Sequence, residues 1–564
     1  MLNMISPAKY FPIAPRRAVI AIGACVLLLF FGLLAFPHRL SVYTRLPAVE
    51  SGKLPTFASW PYIEVVQDDN KDTWPYRIFK SSTLTPPNIT ISVNKGGLAD
   101  GYLFLDPKSR GKHHGQKQRG PTIIGMDNEL VYHHDTPYGT NNFRVQELEG
   151  EPRLTFWHGD SVTGHGYGKV VVLDRTYSET TVSLDANIDS LKHDRTAGLI
   201  DFHEHQLTSR GTILVTVYNN TQMDLSAIGG SKEGWACDSL FFEIEVDTGR
   251  VLFSWSALDH IPLEASKLPV KSYMGDGSRK SPWDHFHINS IQDLDDGFLI
   301  SSRHMWSCYL ISKTSGEILW TLGGDGNASS FGALEADGQF RWQHDARAHN
   351  ITKHSMLLSI FDNHSTREDK GTAPTKGLML ELAMPPNDSQ SPKILRTVQN
   401  EKLPYVDSQG SYQTDLQNGN QLIGYGPLSL IKEYGPGSDG ADLRWEGRFG
   451  HNTKSQSYRA FKGQWRATPA GWDPRIALDG DAADCDNAGL DHCVRVHVSW
   501  NGATEVEYWN VYAGNRLSLQ LVGKAHKNGF ETVFDVPTMK NKPCVQIGAV
   551  QAMTEVRRSK MVCL

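Results

Sequence analysis

Apolar residues along most of this chain come in short runs of about four to eight, broken by Gly, Asp, Asn and Ser, and seldom at the spacing of an amphipathic helix. Residues 101–105 (GYLFL), 170–173, 211–218 (GTILVTVY), 297–302 (GFLISS) and 355–361 (SMLLSIF) are β-branched or aromatic runs of this kind and predict strands. A second pattern joins them. Residues 242–253 (FEIEVDTGRVLF) and 309–320 (YLISKTSGEILW) each read as a strand, a polar turn with a glycine, and a strand closing on an aromatic residue. The glycine supplies the positive φ that such hairpins need.

Several hairpins, each behind an Asn-Gly- or Asp-Gly-headed strand, predict stacked four-stranded units. Such units have edges they cannot protect alone, and arranging them around an axis solves that problem. Roughly 390 residues at about 40–60 per unit give six to eight blades, and six is taken here. The expected class is therefore all-β, with a six-bladed β-propeller over 61–455; a pair of packed sandwiches is the competing reading. From about residue 463 the texture changes. Residues 494–500 (VRVHVSW), 506–512 (VEYWNVY), 517–522 and 545–550 read as strands of a compact accessory β-sandwich over 463–564, immunoglobulin- or fibronectin-like. The acidic stretch from Asp479 (DGDAADCDNAGLD) fails the EF-hand spacing and reads as a solvated loop.

The N-terminal stretch breaks the β pattern. Residues 18–36 (AVIAIGACVLLLFFGLLAF) carry no charge and follow Lys9, Arg16 and Arg17. That length suits a membrane span better than a signal-peptide core, and the positive flank points the N-terminus to the cytoplasm. The expectation is a cytoplasmic tail (1–17), a transmembrane anchor (18–36) and a stem (37–60) of a single-pass type II protein; a cleaved signal competes with it. Either way the body lies in the secretory-pathway lumen or at the cell surface. Six cysteines remain outside the apolar run: Cys237, Cys308, Cys485, Cys493, Cys544 and Cys563. An oxidising compartment makes disulfides Cys485–Cys493 and Cys544–Cys563 plausible, with buried free thiols as the alternative. Sequons at Asn88, Asn219, Asn327, Asn350, Asn363 and Asn387 suit a glycoprotein.

Composition narrows the function. In 564 residues, 56 Lys+Arg stand against 62 Asp+Glu, a net charge of −6 with no basic stripe, which excludes a nucleic-acid partner. A hydrophobic fraction of 39% with 14 Trp excludes a disordered chain. No phosphate-binding G-x-x-x-x-G-K-[ST], no H-E-x-x-H and no G-x-S-x-G occurs.

Histidines cluster with polar partners in 201–205 (DFHEH), 284–289 (DHFHIN), 301–304 (SSRH) and 343–350 (QHDARAHN), each beside an expected strand. In a propeller such strand ends gather around the central channel. Two readings of the pairs His203/His205 and His285/His287 compete. On a strand, positions i and i+2 share a face, so each pair could grip a metal, with Glu204 as a carboxylate partner; otherwise they are hydrogen-bonded channel-lining groups.

The segments DFHEHQLTSRGTILVTVYN, WDHFHINSIQDLDDGFLISSRH, SGEILWTLGG, QHDARAHN with SIFDN, NGNQLIGYG and SWNGATEVEYWNVYAG resemble, in that order, the arylsulfotransferase family, and most nearly its fungal-type branch. The resemblance implies a six-bladed propeller that moves a sulfuryl group from an aryl sulfate ester to a phenol. It implies no nucleotide, metal or other cofactor, and a covalent sulfohistidine in the channel. Carried over by motif, His344 is the nucleophile, and His203, His287, Asn289 and Arg303 surround the sulfuryl group. His349 rivals His344, and His205 and His285 could exchange roles with their i+2 neighbours. A propeller that binds a ligand or protein partner without chemistry is the alternative function.

Overall fold

The computed structural model describes residues 54–564 except 163, 190–197, 328, 401, 403–404, 438, 480–492 and 538–542. Among them, six antiparallel sheets each contain a run of four strands in sequence or near-sequence order. Their inner strands are Ala460–Gly463, Gly139–Leu148, His205–Leu207, Ile288–Asp293, His344–His349 and Ser411–Gln413. Each inner strand lies against that of the next sheet, and Ser411–Gln413 meets Ala460–Gly463, so the ring closes in a propeller-like arrangement.

Closure uses both ends of this region. Ala460–Gly463 pairs with Tyr102–Leu105 as the inner strand of the first sheet, and Thr90–Asn94 adds to the outer edge of the sixth. The expected boundary at 455 therefore falls short, because the strand that completes the ring comes after it.

The cores lie between sheets. Gly297–Ser302 is buried along its whole length because its two faces serve different neighbours. Phe298 and Ile300 pack with Leu214 and Phe241 of the preceding sheet, while Leu299 packs with Met356 and Leu358 of the following one. A strand buried on both faces reads as a continuous apolar run.

Inner strands present backbone edges that a ring must satisfy. Glutamine amides do this at the trailing ends. Gln292 Oε1 accepts from Ala348 N (2.6 Å) and its Nε2 donates to Ala348 O (3.0 Å). Gln413 treats Lys462 in the same way (2.8 and 3.0 Å), Gln146 Oε1 accepts from Leu207 N (3.0 Å), and Gln206 Oε1 accepts from Asp293 N (2.9 Å).

The C-terminal strands form two further sheets whose facing sides share one core, including Val496, Val498, Trp509, Val511, Phe534 and Ile547. Segment Thr56–Phe57 pairs in parallel with Ser518–His526, and Ser59–Pro61 pairs with Glu531–Pro537. Residues 56–60, expected in a stem, thus belong to these sheets. The Asn501–Gly502 turn docks on the first sheet: Asn501 Oδ1 accepts from His133 N (3.0 Å), and Gly502 N donates to Val131 O (2.8 Å).

Cys544 and Cys563 form a disulfide, Cys493 is disulfide-bonded, and Cys237 and Cys308 are buried free thiols. Cys485 lies outside the described residues, as does the apolar stretch 18–36. Among the described residues no helix is long and apolar enough to cross a membrane.

Candidate active site

The leading ends of the inner strands converge on a cavity of about 780 Å³. Each sheet brings one residue to it at that position: Asn141, His203, His287, His344, Gln409 and Tyr458. Arg303 also lines it.

The local sequence explains how His203 is held. Asp201 Oδ1 accepts from His203 N (2.8 Å) and from its ring Nδ1 (2.5 Å), a bend closed by the aspartate side chain. Gly166 N donates to the other oxygen of Asp201 (2.6 Å). A Cβ at Gly166 would fall 2.5 Å from the Phe202 ring, so glycine is required for this approach. Burial pushes the Asp201 carboxyl up, but His203 beside it prevails and holds it below the ordinary value.

His287 is held by a longer device. Its Nδ1 lies 2.5 Å from Asp284 Oδ2, and His165 Nε2 reaches the same oxygen at 3.0 Å. The backbone of His287 has φ 61°, a left-handed conformation rare for a residue with a side chain and common at functional sites. Burial lowers the His287 imidazole to about 4 against the opposing pull of Asp284. Burial opposes the Asp284 charge as well, yet His287, His304 and His165 keep that carboxyl well below its usual range. His165, Asp284 and His287 bring potential ligand atoms within 4.8 Å of one another. In this arrangement both imidazoles address one carboxylate oxygen as hydrogen-bond donors.

His344 has its tautomer set by Asn363. The Asn363 amide nitrogen donates to Val406 O (3.1 Å) and Gln409 O (3.0 Å), so its Oδ1 faces His344 Nδ1 at 2.6 Å as an acceptor. Nδ1 therefore carries the proton and Nε2 the lone pair, met only by Gln409 N at 3.2 Å among the described residues. Burial, reinforced by the Arg303 charge, holds this imidazole well below its usual pKa, neutral at physiological pH. Asn363 is fully buried, so its sequon has no place for a glycan; Asn327, Asn350 and Asn387 are exposed.

Arg303 stacks on Trp342, with its carbon centre 5.3 Å from the ring centroid. Its guanidinium donates to Tyr273 Oη (2.6 Å), Asp407 O (2.9 Å) and His304 Nε2 (3.0 Å). His304 can accept there because its Nδ1 donates to Asp284 O (2.6 Å). The Tyr458 hydroxyl is buried without a hydrogen-bond partner among the described residues.

Four expected residues, His203, His287, Arg303 and His344, thus come together. Asn289 does not line the cavity: its Nδ2 donates to Gln343 O (2.7 Å), beside His344. His349 turns to Ser359 Oγ (2.8 Å) and lines a second cavity of about 560 Å³, at the trailing ends of the strands. His205 and His285 are buried away from the first cavity, the former on Thr155 Oγ1 (3.1 Å), the latter against Trp283. The i, i+2 argument fails because 203 and 285–287 precede their strands, where alternation does not hold. Glu204 is committed to Arg144 (2.8 Å), Arg459 (3.1 Å) and Arg347, which hold its carboxyl far below the usual range despite the opposing effect of burial. Three guanidiniums around it leave no place for a cation.

Sequence reasoning missed His165, Asn363, Tyr458, and the roles of Asp201 and Asp284. A histidine between glycines (GHGYG, from Gly164) was a usable signal for a close approach. Asn363 carried a misleading one, its sequon.

An arylsulfotransferase (ASST) family model matches residues 144–450. No curated protein matches the chain. Solved structures with some likeness include the WD40 domain of Toxoplasma gondii coronin (9% identity, 78% of this chain and 90% of that one, TM-score 0.25). The Malassezia sympodialis allergen Mala s 1 (11%, 57% and 92%, 0.25) and a Bombyx mori β-fructofuranosidase (9%, 76% and 88%, 0.26) are others. Superpositions this loose add nothing to the fold described above.

Proposed function

The chain belongs to the arylsulfotransferase family, and on that premise we propose that it transfers a sulfuryl group from an aryl sulfate ester to a phenol through a sulfohistidine at His344. The observation that carries this reading is the His344 tautomer: a neutral imidazole with its proton tied to Asn363 and its Nε2 lone pair at the cavity beside a guanidinium. In the first half-reaction Nε2 attacks sulfur, the N–S bond forms, and the S–O bond to the aryl group breaks. Arg303 and the unpartnered Tyr458 hydroxyl donate to the sulfuryl oxygens as charge shifts among them.

The leaving phenolate takes a proton from an imidazolium. In the second half-reaction the acceptor phenol gives its proton back to that imidazole, its oxygen attacks sulfur, the N–S bond breaks and His344 recovers its lone pair. The Asp201–His203 dyad is built for this traffic, with Nδ1 on a carboxylate and a ring edge at the cavity, while His287, kept neutral by burial, is oriented beside it by Asp284. Asn289 acts as a positioning residue, through Gln343 O next to His344. No step calls for a metal or a diffusible cofactor.

The uncharged stretch 18–36 and its basic flank support anchoring in a membrane with the body outside the cytoplasm, which resistance of the full chain to alkaline carbonate extraction would test. The ring of six sheets supports a six-bladed propeller, and the two C-terminal sheets with a shared core support an immunoglobulin- or fibronectin-like sandwich.

The deciding experiment incubates the purified full-length chain with a chromogenic aryl sulfate and a phenol acceptor, beside His344→Ala and a chelator-treated sample. Phenol release that needs His344, survives the chelator and yields the sulfated acceptor is expected. Release that persists in His344→Ala, or stops on chelation, would overturn the reading.

A further inference from the structure

The outer part of the catalytic cavity has a charge that the transfer reaction does not require. Besides Arg303, its lining holds Lys108, Arg110, Arg119 and Arg367, against two carboxylates, Asp160 and Asp407. Five cations and two anions make a positive site in a chain whose net charge is −6. A single sulfate ester, already served by Arg303, leaves the remaining cations without an assignment.

Their donors are only partly used. Asp407 Oδ1 lies 3.9 Å from Arg110 Nη2 and its Oδ2 lies 3.7 Å from Arg367 Nε, both beyond hydrogen-bond length. Lys108 Nζ donates to Thr140 O (2.9 Å) and Asn141 Oδ1 (2.6 Å), which leaves its third proton for a ligand. The same Asp407 accepts from Arg303 through its backbone carbonyl, so one residue links the inner guanidinium to the outer pair. A substrate with its sulfuryl group between His344 and Arg303 would send its far end past Asp407 toward Arg110 and Arg367.

We propose that this cavity selects aromatic substrates with a second anionic group, a carboxylate or a second sulfate, at the end of the ring away from the reacting oxygen. The inference rests on the sulfotransferase reading and names the substrate class of that site. A second anion converts the two long ion pairs at Asp407 into direct guanidinium contacts, bidentate in the case of a carboxylate. Because the mouth is partly open, its attraction is screened by salt while the buried contacts to Arg303 are much less so.

The test compares 4-nitrophenyl sulfate, a monoanion, with 4-carboxyphenyl sulfate, a dianion, as donors to phenol with the full-length chain at low salt and in 0.5 M NaCl. Dissociation constants for both on the His344→Ala chain separate binding from chemistry. At low salt, KM and Kd about 10-fold lower for the dianion are expected, a gap that closes in high salt. The double substitution Arg110→Ala with Arg367→Ala should raise the dianion Kd about 10-fold and the monoanion Kd by no more than about 2-fold. Equal constants for the two donors at low salt would overturn the inference, and would leave the transfer reaction standing if both turn over. A 10-fold gap in Kd without turnover of either donor would overturn the transfer reaction and leave the charge selection.

Discussion

The two ends of the inner strands use the same backbone scaffold for opposite purposes. At the trailing ends, Gln146, Gln206, Gln292 and Gln413 spend their amides on the backbone of the next sheet. At the leading ends, His203 and His287 sit in bends just before their strands, one with positive φ, and Gln409 also has a positive φ. There the Tyr458 hydroxyl has no hydrogen-bond partner among the described residues, and the His344 lone pair meets only the Gln409 N–H, at 3.2 Å. Regular pairing absorbs polar atoms, and chemistry is possible where pairing has not yet begun. His349 makes the contrast concrete: it ends the strand that His344 begins, five residues away, and faces the other cavity.

The sharpest way to break this contrast is to exchange the fates of those two histidines. His344→Ala should lower kcat by about 10⁴-fold or more, equivalent to about 5.5 kcal/mol, whereas His349→Ala should stay within about threefold of the parent. A reversed result in phenol-release assays would move the nucleophile to the trailing end.

The next effect isolates the tautomer. Asn363→Ala frees His344 Nδ1 and should cost about 2 kcal/mol in kcat, about 30-fold, with little change in KM. A rise in KM with kcat preserved would mean that Asn363 only shapes the cavity.

The trailing end should answer in stability. Gln292→Ala leaves Ala348 N and O without their partner and should lower stability by about 1–3 kcal/mol in denaturant unfolding, with kcat unaltered. Loss of turnover at full stability would show that the two ends are coupled.

The effect spread over the most groups is a pH dependence of folding. His133 and His205, lowered to about 3, and His285 and His287, lowered to about 4, all chiefly by burial, refuse protons that the unfolded chain takes up below about 6.5. Stability is therefore lost as pH falls from about 6.5 to about 4. Asp106 and Asp238, raised to about 6 chiefly by burial, act in the opposite sense between about 6 and 3.8. Four protons against two leave about 3 kcal/mol per pH unit, and His304 and His344, held further down, add to the loss. Thermal melts from pH 7 to pH 4.5 should fall steeply, and less so for His344→Asn. A flat profile would show that these imidazoles are not buried neutral.

Local patterns determined a good deal. Strands, Gly-closed hairpins and the repeated four-strand unit follow from short β-branched and aromatic runs and from turn chemistry, which act over a few residues. The histidine segments and Arg303 stood out because such residues beside strands need a reason. What only the tertiary structure decided was everything set by partners far away in the chain. Ala460–Gly463 completes the sheet begun near residue 102, and Thr56–Phe57 pairs with a strand more than 460 residues later, at Lys524. Asn289 looked like a group for the sulfuryl and became a support for Gln343, while Asn363 looked like a glycan acceptor and became the partner of His344. Glu204 looked available to a metal and is enclosed by Arg144, Arg347 and Arg459, from three other sheets or their connections. A residue's type and its near neighbours fix the local shape of the chain. Which lone pair or proton is left free depends on what the rest of the ring has already bonded, and that is settled only when the ring closes.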